Sequence, residues 1–489
     1  MTWNHFYKKT IKKEKFKKED IMKKYDLFID GEWTQALTDD EITIVSPRSQ
    51  EELGIIPACH EEDVNRAVKG AKKALLDWRM TDPQERADYV QKMLDYLVEH
   101  KEEIAKTIHL ELGAPIKTVL ASHVEGYFDS MQDFIDLARD YQFVDKYDGY
   151  EVHKEPVGIV ACFTPWNFPF GQIYKKVFPA LLMGNTVVLK PSQHTPMTAY
   201  YYAKAAIEAG LPKGVLQLVT GRGKEIGEIL SEHPDIRKLS LTGSTTAGRE
   251  LMKNAADSFK RITFELGGKS PAIILKDADL EYAVKTTLSQ VYSNTGQACS
   301  SKTRLLVPRE LKDEVEEIVI EETKKWVVGD PADEKTDIGP LHNEKQFDKV
   351  NKYIEIGKEE ATLLYEGKTP DLPGYYVGPV VFTDVDPKAT IAQDEIFGPV
   401  LSILFYDDIE EAIEIANDSI YGLHGIIFGD QEEAIKIAKR INTGQIIINN
   451  AQRNHCAPFG GFKQSGIGRE GGIYTLDEYT ELKTLYIKR

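Results

Sequence analysis

Between residues 151 and 265, four short apolar runs, VGIVACF, TVVLK, VLQLVTG and LSLTG, are separated by helical stretches such as TAYYYAKAAIEAG and GKEIGEILSEH. Short aliphatic runs without polar alternation suit strands buried on both faces, and helices between them favour parallel crossovers. The region is therefore expected to form a parallel sheet covered by helices, with ligands at the carboxyl ends of its strands. A second alternation begins near residue 272, with AIIL, RLLVP, VVFTDV, LSILFY and IIIN as strands and ELKDEVEEIVIEETKKW and IEEAIEIAND among the helices. The chain thus reads as α/β, with two such units framing a cleft of the kind that commonly holds ligands. Ahead of them, YDLFIDGEW and TIVSP read as short strands, followed by charged helices from about 61 to 139.

A length of 489 residues exceeds one ordinary core and fits two or three domains. The net charge of −17 repels phosphate backbones and anionic lipid, so nucleic acid is a poor partner. No apolar run approaches the roughly 18 to 20 residues of a membrane-spanning helix, and the start lacks the apolar core of a secretory signal. The cysteines at 59, 162, 299 and 456 show no metal-ligand spacing and cannot form a dense disulfide framework. A reducing, cytoplasmic setting without a metal is expected. Residues 1–24 depart from the general acidity, with nine lysines against Glu14, Glu19 and Asp20, and read as a solvated basic arm.

The chemistry-bearing residues sit where strands end. In TPWNFPF, Pro165 and Pro169 fix a turn that could present the Asn167 amide to an oxyanion, or merely let Asn167 bond its own backbone. Lys190, ending TVVLK, brings a cation to the same crevice, for a ribose hydroxyl, a phosphate or solvent alone. TGRGKEIG resembles a dinucleotide fingerprint with one residue too many. In LTGSTTAG, Gly243 and Ser244 open a helix whose N-terminus suits a pyrophosphate. Glu265 interrupts an apolar strand before a Gly-Gly turn, a costly place for a carboxylate unless it is paired, solvated or functional. Cys299 closes the small-residue loop SNTGQACSS, as a core thiol or as a nucleophile in a polar turn.

Seven blocks, TPWNFP, LKPS, LTGSTTAG, FELGGKSP, NTGQACSS, EIFGPV and PFGGFKQSGIGREGG, occur in an order that resembles the NAD(P)-dependent aldehyde dehydrogenase superfamily. The likeness runs from about residue 25 to the end. It implies two Rossmann-like parallel α/β domains, one for cofactor and one for catalysis, plus a small β oligomerisation extension. The expected division is 25–140 with 156–267 for the dinucleotide, 268–467 for catalysis, and 141–155 with 468–489 for oligomerisation.

The resemblance implies oxidation of an aldehyde to a carboxylic acid. Cys299 is expected to attack the carbonyl carbon, and Asn167 with the Cys299 N–H to hold the oxyanion. Glu265 is expected to activate the water that hydrolyses the thioester, and to deprotonate Cys299 beforehand. Thr164, Pro165, Trp166, Lys190, Gln193, Gly221, Gly243, Ser244, Leu266, Glu395 and Phe397 match cofactor positions. Many NAD-preferring relatives carry Glu where Gln193 stands, so NAD with NADP tolerated is expected. Phe168, Phe170 and Phe459 match the aldehyde tunnel. Lys175 falls near a place where some relatives hold a substrate carboxylate with arginine, although a solvated lysine is the plainer reading, so aliphatic and aromatic aldehydes rank ahead of semialdehyde acids. TELKTLYIKR resembles an oligomerisation strand, implying a homodimer or homotetramer, with Glu481 expected to pair with Arg261 or Arg469. Two rivals remain: a cysteine hydrolase built on His455 and Cys456, and an inactive binding protein of the same fold.

Overall fold

The computed structural model describes residues 23–488, so all of the lysine-rich arm except Lys23 and Lys24 lies outside the described residues. Two large sheets organise the chain. The first runs in the order Gly466–Ile467, Arg261–Glu265, Ile236–Thr242, Ile159–Phe163, Thr186–Lys190, Leu216–Leu218, Leu27–Ile29, Glu32–Thr34. Its five middle strands pair in parallel, while the strands at both edges pair antiparallel. From Ile159–Phe163 the chain builds outward through Thr186–Lys190 and Leu216–Leu218, then returns to the opposite side for Ile236–Thr242. That reversal leaves a crevice at the carboxyl ends of Ile159–Phe163 and Ile236–Thr242, where α/β sheets take their ligands. Every residue of Ile159–Phe163 and Thr186–Lys190 is buried, which explains their unbroken apolar character.

The second sheet runs Thr362–Glu366, Val380–Thr383, Val400–Tyr406, Arg304–Pro308, Pro271–Ile274, His424–Phe428, Gln445–Ile448, parallel except at its first edge. His424–Phe428 and Thr362–Glu366 were not among the expected strands. HGIIF is brief and held between glycine turns, and TLLYE lies on the exposed edge with little apolar contrast.

Thr480–Tyr486 pairs antiparallel along its whole length with Tyr150–Pro156, which pairs in turn with Val144–Tyr147. Arg261 and Glu481 form a bidentate ion pair within the chain, with Nε to Oε1 at 2.9 Å. One feature crosses the expected division. Gly466–Ile467 follows the second sheet in sequence but pairs with Phe264 and Glu265 as the edge of the first.

Candidate active site

The turn after Ile159–Phe163 and the loop before Arg304–Pro308 meet over the crevice. Asn167 is buried and its Nδ2 donates to the Gln297 carbonyl at 2.8 Å. Asn294 answers from the other side, its Nδ2 lying 3.0 Å from the Asn167 carbonyl and 3.2 Å from that of Gln297. The loop is bent sharply, since Asn294, Thr295 and Gly296 have φ of 51°, 58° and 72° in succession. Two non-glycine residues in the left-handed region carry strain that surrounding bonds must hold, and here that strain lies just before Cys299. Thr295 Oγ1 donates to the Gly339 carbonyl, and the His342 N–H donates to Gln297 Oε1 at 2.9 Å.

Burial pushes the Cys299 thiol up to about 12, with Glu395 and Glu265 adding to it; Lys175 and the residue's own N–H oppose the rise. Glu265 is only 2% exposed, and neither of its carboxylate oxygens has a hydrogen-bond partner. Burial and then the charge of Glu470 hold this carboxyl well above its usual range, against Lys176, Lys175 and Arg469. Gly460 leaves it room: a Cβ there would stand 2.6 Å from Glu265 Oε1. Buried Lys176 donates to Glu470 Oε1 and, at 2.7 Å, to Thr242 Oγ1.

The crevice has the features a dinucleotide requires. Ser244 caps the helix Thr245–Ala256 by accepting from the Ala247 N–H at 3.2 Å, so Gly243 and Ser244 open onto a helix N-terminus. Lys190 is buried, and desolvation lowers its ammonium to about 8. Its Nζ lies 3.9 Å from where a Cβ on Gly223 would stand, beside the turn that contains Gly221. Gln193 Oε1 accepts from the Gly223 N–H at 3.0 Å, which turns the amide carbonyl into the loop and leaves the NH2 group for a ligand. Thr164 N–H donates to the Lys190 carbonyl at 3.3 Å, and Pro165 follows in the turn.

Further along, Glu395 Oε1 accepts from the Gly268 N–H at 2.9 Å, and a Cβ on Gly267 would fall 2.5 Å from its Oε2. Phe397, with φ of 64°, meets Trp166 edge-on at 5.5 Å, and Trp166 stacks on His342 at 4.9 Å. Leu266 packs on Gly248 at the base of the capped helix.

On the far side of Cys299, Phe168 stacks on His123 at 5.0 Å and Lys175 Nζ lies 5.0 Å over the Phe459 ring. Phe170 does not join them. It is fully buried among Tyr127, Phe128 and Tyr202, and its carbonyl accepts from the Tyr202 hydroxyl. The helix begins at Pro169, so Phe168 and Phe170 straddle its start and point in different directions. Cys456 is exposed, and burial and then Asp133 raise its thiol. The motifs do not mark Lys176, Lys302, Arg453 or His424, and Glu470 lies inside PFGGFKQSGIGREGG without being singled out. The one sequence signal is the lysine in SSKTR, just ahead of the buried strand Arg304–Pro308.

The model of the aldehyde dehydrogenase family matches residues 33–485. A protein of Staphylococcus saprophyticus bearing an aldehyde dehydrogenase designation is 41% identical over 465 residues, covering 94% of this chain and 98% of its own. Among solved structures, a cysteine-to-alanine variant of AldC from Pseudomonas syringae, complexed with NAD+ and octanal, superposes with a TM-score of 0.92 at 41% identity, covering 94% of this chain and 96% of that one. An aldehyde dehydrogenase of Mycobacterium tuberculosis complexed with NAD+ gives 0.93 at 40%, covering 96% and 99%. The two parallel sheets and the crevice between them are those of an α/β oxidoreductase. The chain belongs to the aldehyde dehydrogenase family.

Proposed function

We propose that the protein oxidises an aldehyde to a carboxylic acid with NAD(P), using Cys299 as nucleophile, Asn167 as oxyanion donor and Glu265 as general base. The observation that carries this reading is Glu265: a buried carboxylate with two unpartnered oxygens, whose charge acts on the thiol of Cys299. A carboxyl held above its usual range is a better base at neutral pH than an exposed one.

Glu265 takes the thiol proton directly or through one water, and the Cys299 sulfur then bonds to the aldehyde carbon as a thiohemiacetal. The Cys299 N–H and the Asn167 Nδ2 stabilise the new oxyanion. Gly243, Ser244, Lys190, Gln193 and Glu395 would hold the dinucleotide, with Thr164, Pro165, Trp166, Gly221, Leu266 and Phe397 shaping its bed. Bound NAD(P) supplies the two-electron acceptor. Glu265, once it has released the first proton to solvent, removes one from water as the water attacks the Cys299 thioester, and returns it to the departing thiolate as the acid leaves.

Residues 25–140 and 156–267 serve the dinucleotide and 268–467 the chemistry, with Gly466–Ile467 shared between them. We place the enzyme in the cytoplasm, a reading supported by four free cysteines among the described residues. Thr480–Tyr486 is an open edge carrying exposed Leu482 and Leu485, and it supports pairing with a second copy as a dimer or tetramer. The test is NADH fluorescence on purified protein with a panel of aldehydes, followed by identification of the acid. Reduction in the parent and none in Cys299→Ala is expected; equal rates in both would overturn the reading.

A further inference from the structure

His342 stands where the two halves of the proposed site meet, and the proposed chemistry does not use it. It is only 4% exposed, and its buried Nδ1 has no hydrogen-bond partner. Burial, and then His194, hold its imidazole down to about 3, so the ring is neutral. An imidazole with an unpartnered nitrogen is a costly way to fill a core. What it offers is a flat face. The ring stacks on Trp166 with 20° between the planes, and the His194 ring meets it edge-on at 5.5 Å. Trp166 in turn meets Phe397 edge-on, and its carbonyl accepts from Thr195 Oγ1 at 3.1 Å.

The same residue reaches the nucleophile through its backbone. Its N–H donates to Gln297 Oε1, two residues before Cys299, and Gln297 Nε2 donates to the Asn294 carbonyl at 3.1 Å. Three residues ahead of His342, the Gly339 carbonyl holds Thr295 of the same loop. One residue after it, Asn343 caps the helix Glu344–Glu360, and Gln346 Nε2 of that helix donates to the carbonyls of Ile396 and Phe397 at 3.1 and 2.8 Å. The nucleophile loop also abuts this turn directly, because a Cβ on Gly296 would strike the Gly398 carbonyl. Residues 339–346 therefore hold both the loop of Cys299 and the turn of Glu395 and Phe397.

We propose that His342 is a positioning residue: its ring sets Trp166 and through it Phe397, its N–H sets the loop of Cys299, and the thiol's reactivity thereby answers to the bound dinucleotide. The role rests on the oxidation proposed above, yet His342 need touch neither the aldehyde nor a reacting atom. Close-packed groups that share partners cannot shift independently, so a ring displaced on one side is felt on the other. Such coupling is reciprocal. If NAD alters the thiol, a change in the thiol's loop must alter the affinity for NAD.

The experiment follows iodoacetamide alkylation of the Cys299 peptide by mass spectrometry, with and without saturating NAD, and measures the NAD Kd by calorimetry, all on the full-length protein. In the parent, NAD is expected to change the alkylation rate by about threefold or more. His342→Leu should bring that ratio close to one and raise the NAD Kd about threefold to tenfold, whereas His342→Phe, which keeps a flat ring, should retain both parent values. Gln297→Leu cuts the link to the His342 N–H from the loop side, and it too should raise the NAD Kd about threefold to tenfold. That variant decides the question if His342→Leu does not fold. A ratio in His342→Leu equal to the parent's would mean that NAD merely shields the thiol, and would overturn the role. A parent ratio of one, a His342→Phe variant that behaves like His342→Leu, or an unchanged NAD Kd in Gln297→Leu would overturn it as well. None of these readouts needs turnover, so a protein that bound NAD but oxidised no aldehyde would sink the oxidation alone, while one that bound no NAD would sink both.

Discussion

The amide of Asn167 donates to the carbonyl of Gln297 at 2.8 Å, tying the turn after Ile159–Phe163 to the loop that carries Cys299. One N–H of the amide therefore fixes the loop while the second is left for substrate. Asn167→Ala is expected to lose about 100- to 1,000-fold in kcat, as removal of a preorganised oxyanion donor does elsewhere. Steady-state kinetics would check it, and a loss confined to KM would contradict the role.

The pH profile should report Glu265. Its carboxyl is held above the usual range by burial and by Glu470, so kcat/KM should rise with pH as Glu265 loses its proton. Glu470→Gln removes the negative charge and leaves Lys176 unneutralised. Both changes favour the carboxylate, so the acidic limb should move to lower pH. An unmoved limb would sever Glu470 from the base.

The same group sets a sign for stability. A carboxyl whose pKa is raised by folding binds its proton more tightly in the native state, so its burden on stability is absent below the unfolded value and grows as pH rises toward the folded one. Glu265→Gln should therefore be more stable than the parent at pH 8, by about 1 kcal/mol, and the gain should shrink at pH 4. Denaturant titrations at the two pH values would measure it.

Cofactor choice should turn on Gln193. Its Oε1 already accepts from Gly223, a bond that a carboxylate would keep. Gln193→Glu adds a charge that accepts from a ribose 2′-hydroxyl and repels a 2′-phosphate, so the NAD to NADP ratio of kcat/KM should rise roughly tenfold or more. An unchanged ratio would place the discrimination elsewhere.

Leu482, Leu485 and Tyr486, at 70%, 40% and 85% exposure, line the open strand at the chain's end. Leu482→Glu should shift the protein toward monomer in light-scattering chromatography. An unaltered mass would show that assembly does not use this edge.

What the sequence disclosed follows from where chemistry meets strand ends. Glu265 closes an apolar run, Asn167 and Ser244 stand just ahead of helices, and Cys299 ends a small-residue loop before a strand, so local pattern and family motif point to the same residues. Lys176 and Glu470 pair across 294 residues of chain, and nothing local marks a lysine as buried until the sheet around it is built. Phe170 shows the opposite failure. Two phenylalanines two residues apart read as one lining, yet the helix starting at Pro169 turns one inward to the core.

The short pairing of Gly466–Ile467 with Phe264–Glu265 has a consequence for biogenesis. The strand bearing Glu265 is translated about two hundred residues ahead of the backbone that closes its edge. A ribosome must therefore pass Ile467 before that edge can form, and fragments released earlier would hold Cys299 beside a Glu265 strand left open on one side.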